Sequence, residues 1–248
     1  MRDAPFRTIG TARPGGVVAV CDHASNRVPG GIDVQLPSAV MDTHIAWDIG
    51  AASVCEHLAA THSFPAFLCT ISRLVIDMHR TENAAALVPL ESDGVAVPGN
   101  RNADRTARLD AYYRPYHKAL AGWLDDARPA LVIAVHSFTP SLASEPGGRR
   151  PWDVGLLYNQ DRRAAALAME HFRGQGLTVG DNEPYSGKQL NATMDRHAEA
   201  FHRPYCTVEI RNDLIANEAG QRTWAARLAR MAEDVLRGLA MQRTADAL

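Results

Sequence analysis

Two histidines and one glutamate lie where apolar runs deliver polar groups. VVAVC leads into Asp22-His23, ALVIAV leads into His136, and the late stretch TVEIR carries Glu209 beside Arg211. Strands of α/β proteins gather ligands at their carboxyl ends. Neutral imidazole is the commonest nitrogen ligand of zinc, and a catalytic zinc keeps about three protein ligands and one open position. A carboxylate beside such an ion can take the proton of an attacking water. His23 and His136 thus have the residue type of metal ligands, and Glu209 that of a general base. Three residues compete to be the third ligand. Asn26, three residues after His23, offers an amide oxygen and is taken first; Asp48, in HIAWDIGA, and Asp22 are the alternatives. Asp22 has a second reading, as the carboxylate that orients the neighbouring imidazole.

The segment SRLVIDMHR packs Arg73, Asp77 and Arg80 around an apolar core. Such charges cannot be buried cheaply unless paired. The planar fork of an arginine also suits a substrate carboxylate. These three residues, with Arg211 and with His197 from the polar stretch 181–204, form the candidate substrate-binding set. His44, His57, His62, His117, His171 and His202 have no comparable context and read as helix-face or loop residues.

The elements that must position these groups follow from periodicity and punctuation. Strands are expected at 17–21, 67–71, 74–77, 130–135, 154–158, 177–180 and 206–210. Helices are expected at 43–62, 104–126, 162–173 and 217–238, with Pro115 kinking or breaking the second. Residues 81–103 read as a long loop and a potential lid, 141–152 as a loop around Pro146-Gly147-Gly148, and 181–204 as irregular. Apolar strands alternating with helices predict an α/β fold with a largely parallel sheet covered on both faces. There is no glycine-rich dinucleotide fingerprint after the first strand, no phosphate-binding loop and no GxSxG elbow.

Composition sets outer bounds. The 248 residues are 46% hydrophobic and 22% charged, and a net charge of −2 gives no case for nucleic acid or an anionic membrane. No apolar run approaches the roughly 20 residues of a membrane span, and MRDAPFRTIG lacks a signal-peptide core. Cys21, Cys55, Cys69 and Cys206 are widely spaced and form no CxxC pair. Reduced thiols and a cytoplasmic location are expected, with no thiolate nucleophile in such apolar runs.

Five stretches in this order, VCDHASNRVP, HIAWDIGA, SRLVIDMHR, AVHSFTP and TVEIRND, resemble the N-formylglutamate amidohydrolase family from about residue 17 to the last helix. The resemblance implies one domain over residues 1–248 with a fold similar to the zinc carboxypeptidases: a hydrolase-like α/β architecture whose central mixed, mostly parallel sheet has helices on both faces. It implies one zinc ion and the hydrolysis of N-formyl-L-glutamate to formate and L-glutamate, a step of histidine breakdown. His23 and His136 match the family's histidines, Glu209 its general base, and Arg73, Asp77 and Arg80 its charged positions. Where the carboxypeptidases carry His-x-x-Glu this chain has His23-Ala24-Ser25-Asn26, and His79 stands where the established deformylases have asparagine. The expected protein is a metal-dependent amidohydrolase acting on a small anionic N-acyl amino acid. The rivals are a peptidase or amidase with the same machinery, and a non-catalytic carboxylate-binding protein.

Overall fold

The computed structural model describes residues 4–144 and 148–246. Its strands are β1 (Phe6–Ile9), β2 (Val17–Cys21), β3 (Ala66–Cys69), a short hairpin of β4 (Glu91–Ser92) and β5 (Val95–Ala96), β6 (Leu131–Phe138), β7 (Val154–Leu157), β8 (Val179–Asp181) and β9 (Tyr205–Arg211). Among the described residues seven of them form one mixed sheet in the order β1-β3-β2-β6-β9-β7-β8. β2 runs parallel to β3 and β6, β6 to β9, and β7 to β8; β1 and β3 are antiparallel, as are β7 and β9.

The helices are α1 (Ser38–Met41), α2 (Ala51–His62), α3 (Arg105–Arg108), α4 (Arg114–Ala127), α5 (Arg163–Gly174), α6 (Ala192–His197) and α7 (Glu218–Asp246). Alternation along β2 shows why both faces of the sheet must be covered. Val17, Ala19 and Cys21 join the core under α2, α5 and α7, whereas Val18 and Val20 join the core under α4 and α6. Side chains two apart share a face of a strand, so a wholly apolar strand feeds two cores. No helix among the described residues is long and apolar enough to cross a membrane.

Several expected boundaries move, each for a physical reason. The helix expected from residue 43 begins only at Ala51, because Gly50 adopts φ +81° and breaks the periodicity. A Cβ at Gly50 would sit 2.3 Å from Ile215 O, so no other residue fits that turn without displacement. The expected 74–77 strand is an irregular turn, although Leu74, Val75 and Ile76 are fully buried. Pro115 does interrupt the long helix: a π-helical stretch, Leu109–Tyr113, separates α3 from α4. Proline has no N–H for the regular i→i−4 bond, and the local repeat widens. β6 runs on past residue 135, so His136 lies inside the strand.

The 81–103 segment is tied down and is not a lid over the site. Asp93 accepts hydrogen bonds from Ala143 N and from Ser144 N and Oγ at 3.1, 2.9 and 2.6 Å. Asn100 donates to Leu74 O and Pro89 O at 2.8 and 2.7 Å. Pro146 and Gly147, in the expected 141–152 loop, lie outside the described residues.

Candidate active site

Register brings the two most distant candidates together. His136 on β6 is the direct parallel neighbour of Glu209 on β9. Residues paired in register on adjacent strands project from the same face. His23 follows β2 on the other side of β6, and the turn before α2 supplies Asp48, whose backbone N–H donates to His23 O at 2.9 Å. A cavity of about 120 Å³ at this sheet end is lined by His23, Asp48, Arg73, His79, Arg80, His136, Ser137, Leu157, Tyr185, Leu190 and Glu209.

Hydrogen bonds fix which ring nitrogen of His23 is available. Nε2 lies 2.7 Å from Asp77 Oδ1. A carboxylate accepts, so the proton sits on Nε2 and the Nδ1 lone pair is free. That Nδ1 is buried, has no hydrogen-bond partner among the described residues, and lies 3.4 Å from Asp48 Oδ2. Nδ1 of His136 lies 2.9 Å from the same oxygen. His23, Asp48 and His136 each offer a ligand atom, all within 4.8 Å of one another. Burial first, then the charge of Arg73, pushes the His23 pKa down; burial and then His79 do the same to His136. Two neutral imidazoles and one carboxylate are the donor chemistry of a catalytic zinc site, and the unpartnered Nδ1 is the kind of buried group a cation satisfies. Asp77 behind His23 is the outer carboxylate that such ligands have.

Glu209 has the setting of a proton acceptor. Burial pushes its pKa up to about 7, against the opposing charges of Arg73, His23, Arg150 and Arg80, and its Oε2 is buried without a partner among the described residues. A base titrating near neutral pH is the efficient kind. Arg73 pairs with Asp48 through Nη2. Arg80 is less engaged: Nη1 lies 3.4 Å from His79 O and Nε 3.8 Å from Asp77 Oδ2.

Asp22, His79 and His136 form a second cluster with ligand-type atoms. Here Asp22 already accepts from Tyr116 Oη at 2.6 Å and pairs with His79 Nδ1 at 2.9 Å, and it does not line the cavity. This network buttresses the far side of His136, whose Nε2 is 3.8 Å from Asp22.

Four expectations need correction. Asn26 is not at the cavity: its amide nitrogen donates to Met41 O at 3.0 Å and Asp42 Oδ1 at 3.1 Å, the work of a turn residue. Asp48, not Asn26, is grouped with His23 and His136 as residues that could hold an ion. Asp77 does not face substrate space, because its carboxylate holds His23; it does what was expected of Asp22. Arg211 turns away to Asp213 Oδ1 at 2.8 Å and Trp152 O at 2.9 Å. His197 is 2% exposed and hydrogen-bonds to His117, away from the cavity. His79, Tyr185 and Leu190 were missed. His79 sits within SRLVIDMHR, where its charged neighbours were a signal; Tyr185 and Leu190 come from the aperiodic 181–204 stretch and carried none.

A larger cleft of about 650 Å³ lies elsewhere, and its polar groups are engaged locally. Asp33 and Asp104 accept backbone N–H groups of Gln35 and Ala107, and Arg108 donates to Val75 O and Asn100 Oδ1. All four cysteines are free and buried, and burial pushes the Cys69 thiol up to about 12.

Comparison with known proteins gives a consistent result. The pattern of the N-formylglutamate amidohydrolase family matches residues 15–216. The crystal structure of gene product Atu2144 from Agrobacterium tumefaciens aligns with a TM-score of 0.87 at 30% identity, over 97% of each chain. An N-formylglutamate amidohydrolase from Ralstonia eutropha aligns with a TM-score of 0.68 at 19% identity, over 98% of this chain and 100% of its own. No curated protein sequence matches the chain.

Proposed function

The chain belongs to the N-formylglutamate amidohydrolase family, and from that premise we propose that it is a zinc-dependent enzyme that cleaves a small anionic N-acyl amino acid, N-formyl-L-glutamate first among them, into formate and L-glutamate. Amide hydrolysis is the family's chemistry. Support for the metal and the substrate comes from one juxtaposition: two neutral imidazoles and a carboxylate converge beside a buried glutamate whose pKa is raised toward neutrality.

His23, through its free Nδ1, together with Asp48 and His136 would hold the ion. When bound there, zinc supplies Lewis acidity toward the amide carbonyl and acidity to a water molecule. Glu209 accepts a proton from the attacking water and returns it to the leaving amine, so that water and amide yield carboxylic acid and free amine. Asp77 keeps the His23 ring in the tautomer that leaves Nδ1 free. Arg73 balances the charge of Asp48, which leaves Arg80 better suited to take the substrate carboxylate. A cavity of about 120 Å³ with Leu157, Tyr185 and Leu190 among its walls favours a small substrate over a polymer. We further propose that the whole chain works as one domain and that it acts in the cytoplasm, where its free thiols persist.

The test is formate release from N-formyl-L-glutamate by zinc-loaded protein, by chelated protein and by chelated protein resupplied with zinc. Activity only in the first and third samples, and much slower cleavage of neutral N-formyl amides, is expected. Cleavage that survives chelation, or neutral amides cleaved as fast, overturns the reading.

A further inference from the structure

Two buried histidines take no part in this chemistry. His117 on α4 and His197 on α6 lie edge to edge, with ring centroids 5.1 Å apart and planes 12° from parallel. His117 Nδ1 and His197 Nε2 are 2.9 Å apart, and His117 Nε2 lies 3.1 Å from Met78 O. A carbonyl only accepts, so His117 carries its proton on Nε2. Its Nδ1 is then the acceptor, and His197 Nε2 must be the donor. Burial pushes His117 down to about 3 and His197 down to about 4, so both rings stay neutral and the order of protons is kept.

The carbonyl at the end of this chain belongs to the turn that supports the proposed metal centre. Thr193 Oγ1 also donates to Met78 O, at 3.2 Å. Tyr113, four residues before His117, donates its hydroxyl to Arg80 O at 2.7 Å. Residues four apart share a helix face, so one face grips the backbone on both sides of His79. Met78 is 1% exposed, and leaving a buried carbonyl without its donors is unfavourable. Asp77, the neighbour of Met78, holds His23 Nε2. Tyr113 also ends the π-helical stretch, a rare conformation often found beside functional sites.

We propose that His117, fixed in one tautomer by His197, is a positioning residue for cation binding: it holds the turn at residues 77–80, and through Asp77 the His23 imidazole, so that Nδ1 stays presented to the metal. The proposal rests on the reading of His23 as a metal ligand. His117→Phe fills the space without donating or accepting. His117→Gln can still donate to Met78 O and accept from His197.

The first readout is the imidazole nitrogen NMR spectrum of the metal-free protein. A single Nε2–H tautomer for His23 is expected in the wild type and in His117→Gln, and a mixture in His117→Phe. The second is zinc affinity by chelator competition. It should fall about 10–100-fold in His117→Phe, as for loss of other outer partners, and stay within about 3-fold in His117→Gln. A His117→Phe protein with wild-type tautomer and affinity overturns the proposal, as does a His117→Gln protein as impaired as His117→Phe. If His117→Phe does not fold, Thr193→Val removes the other donor to Met78 O; a several-fold loss of affinity supports the proposal and an unchanged value overturns it. A wild-type protein that binds no zinc defeats the functional reading, while the tautomer spectrum, which needs no metal, still decides this one.

Discussion

Ring centroids are 5.1 Å apart in two pairs of buried histidines, His23 with His136 and His117 with His197. Spacing and burial therefore cannot be what sets them apart. In the second pair both nitrogens of His117 and Nε2 of His197 are hydrogen-bonded: one ring donates to the other, and the remaining donor of His117 meets a backbone carbonyl. The first pair keeps a buried His23 Nδ1 and a buried His136 Nε2 without hydrogen bonds among the described residues, and Asp48 stands between the rings. A protein can afford leftover lone pairs beside a buried carboxylate when a cation completes them. The comparison teaches that unmet valence, more than residue type, marks the chemical site.

The strongest way to sharpen this contrast is to remove the base and leave the ligands. Glu209→Gln keeps the shape of the side chain, so the fold and the metal should persist. Its kcat should fall by about 10²–10⁴. Zinc lost along with activity would make Glu209 a ligand; nearly full activity with a lower melting temperature would make it structural.

Asp77→Asn strikes the support of the first pair. The amide can no longer fix the proton on His23 Nε2 as a carboxylate does. Zinc affinity should drop about 10–100-fold in a chelator titration. Unchanged affinity would mean that the Asp77–His23 contact does nothing for the metal.

A smaller effect is expected at the substrate end. Arg80→Lys keeps the charge but loses the planar fork, and KM for N-formyl-L-glutamate should rise roughly tenfold, about 1.4 kcal/mol. Unchanged kinetics would move the carboxylate clamp to another residue.

The mildest probe is pH. Burial raises the Glu209 pKa from 4.5 to about 7, and only the ionised form accepts a proton, so the rate should climb as pH rises through that pKa. A bound cation favours the carboxylate, so zinc loading moves the climb to lower pH. In chelated protein the folded state keeps the proton that the unfolded chain has already lost. The Glu209 contribution to stability is therefore full below pH about 4.5 and is lost as pH rises from there to about 7. The buried histidines, with lowered pKa values, act in the opposite sense, so it is the difference between wild type and Glu209→Gln that should decline over this range. Melting temperatures across this range check the sign.

The sequence made His23, His136 and Glu209 legible because each lies on or just after a buried strand, where a polar group stands out against apolar neighbours. The mostly parallel sheet was legible for the same reason. What local pattern could not supply was the direction of each side chain. Asn26 and Asp48 both suit a cation by residue type, and only the turn at Gly50 and the hydrogen bonds to Met41 and Asp42 separate them. Asp77 takes the duty expected of Asp22, which pairs with His79 instead, because the 77–80 turn folds back over β2 in a way no periodicity encodes. His117 read as one of several helix-face histidines; its partner lies 80 residues away.

The proposed metal site is formed by His23, Asp48 and His136. Zinc titration of Asp48→Ala beside Asn26→Ala tests it most directly. Asp48→Ala should lose affinity by at least about 100-fold, beyond the usual effect of an outer partner, while Asn26→Ala should bind about one zinc per chain as the wild type does. Wild-type affinity in Asp48→Ala, or loss of zinc in Asn26→Ala alone, would contradict it.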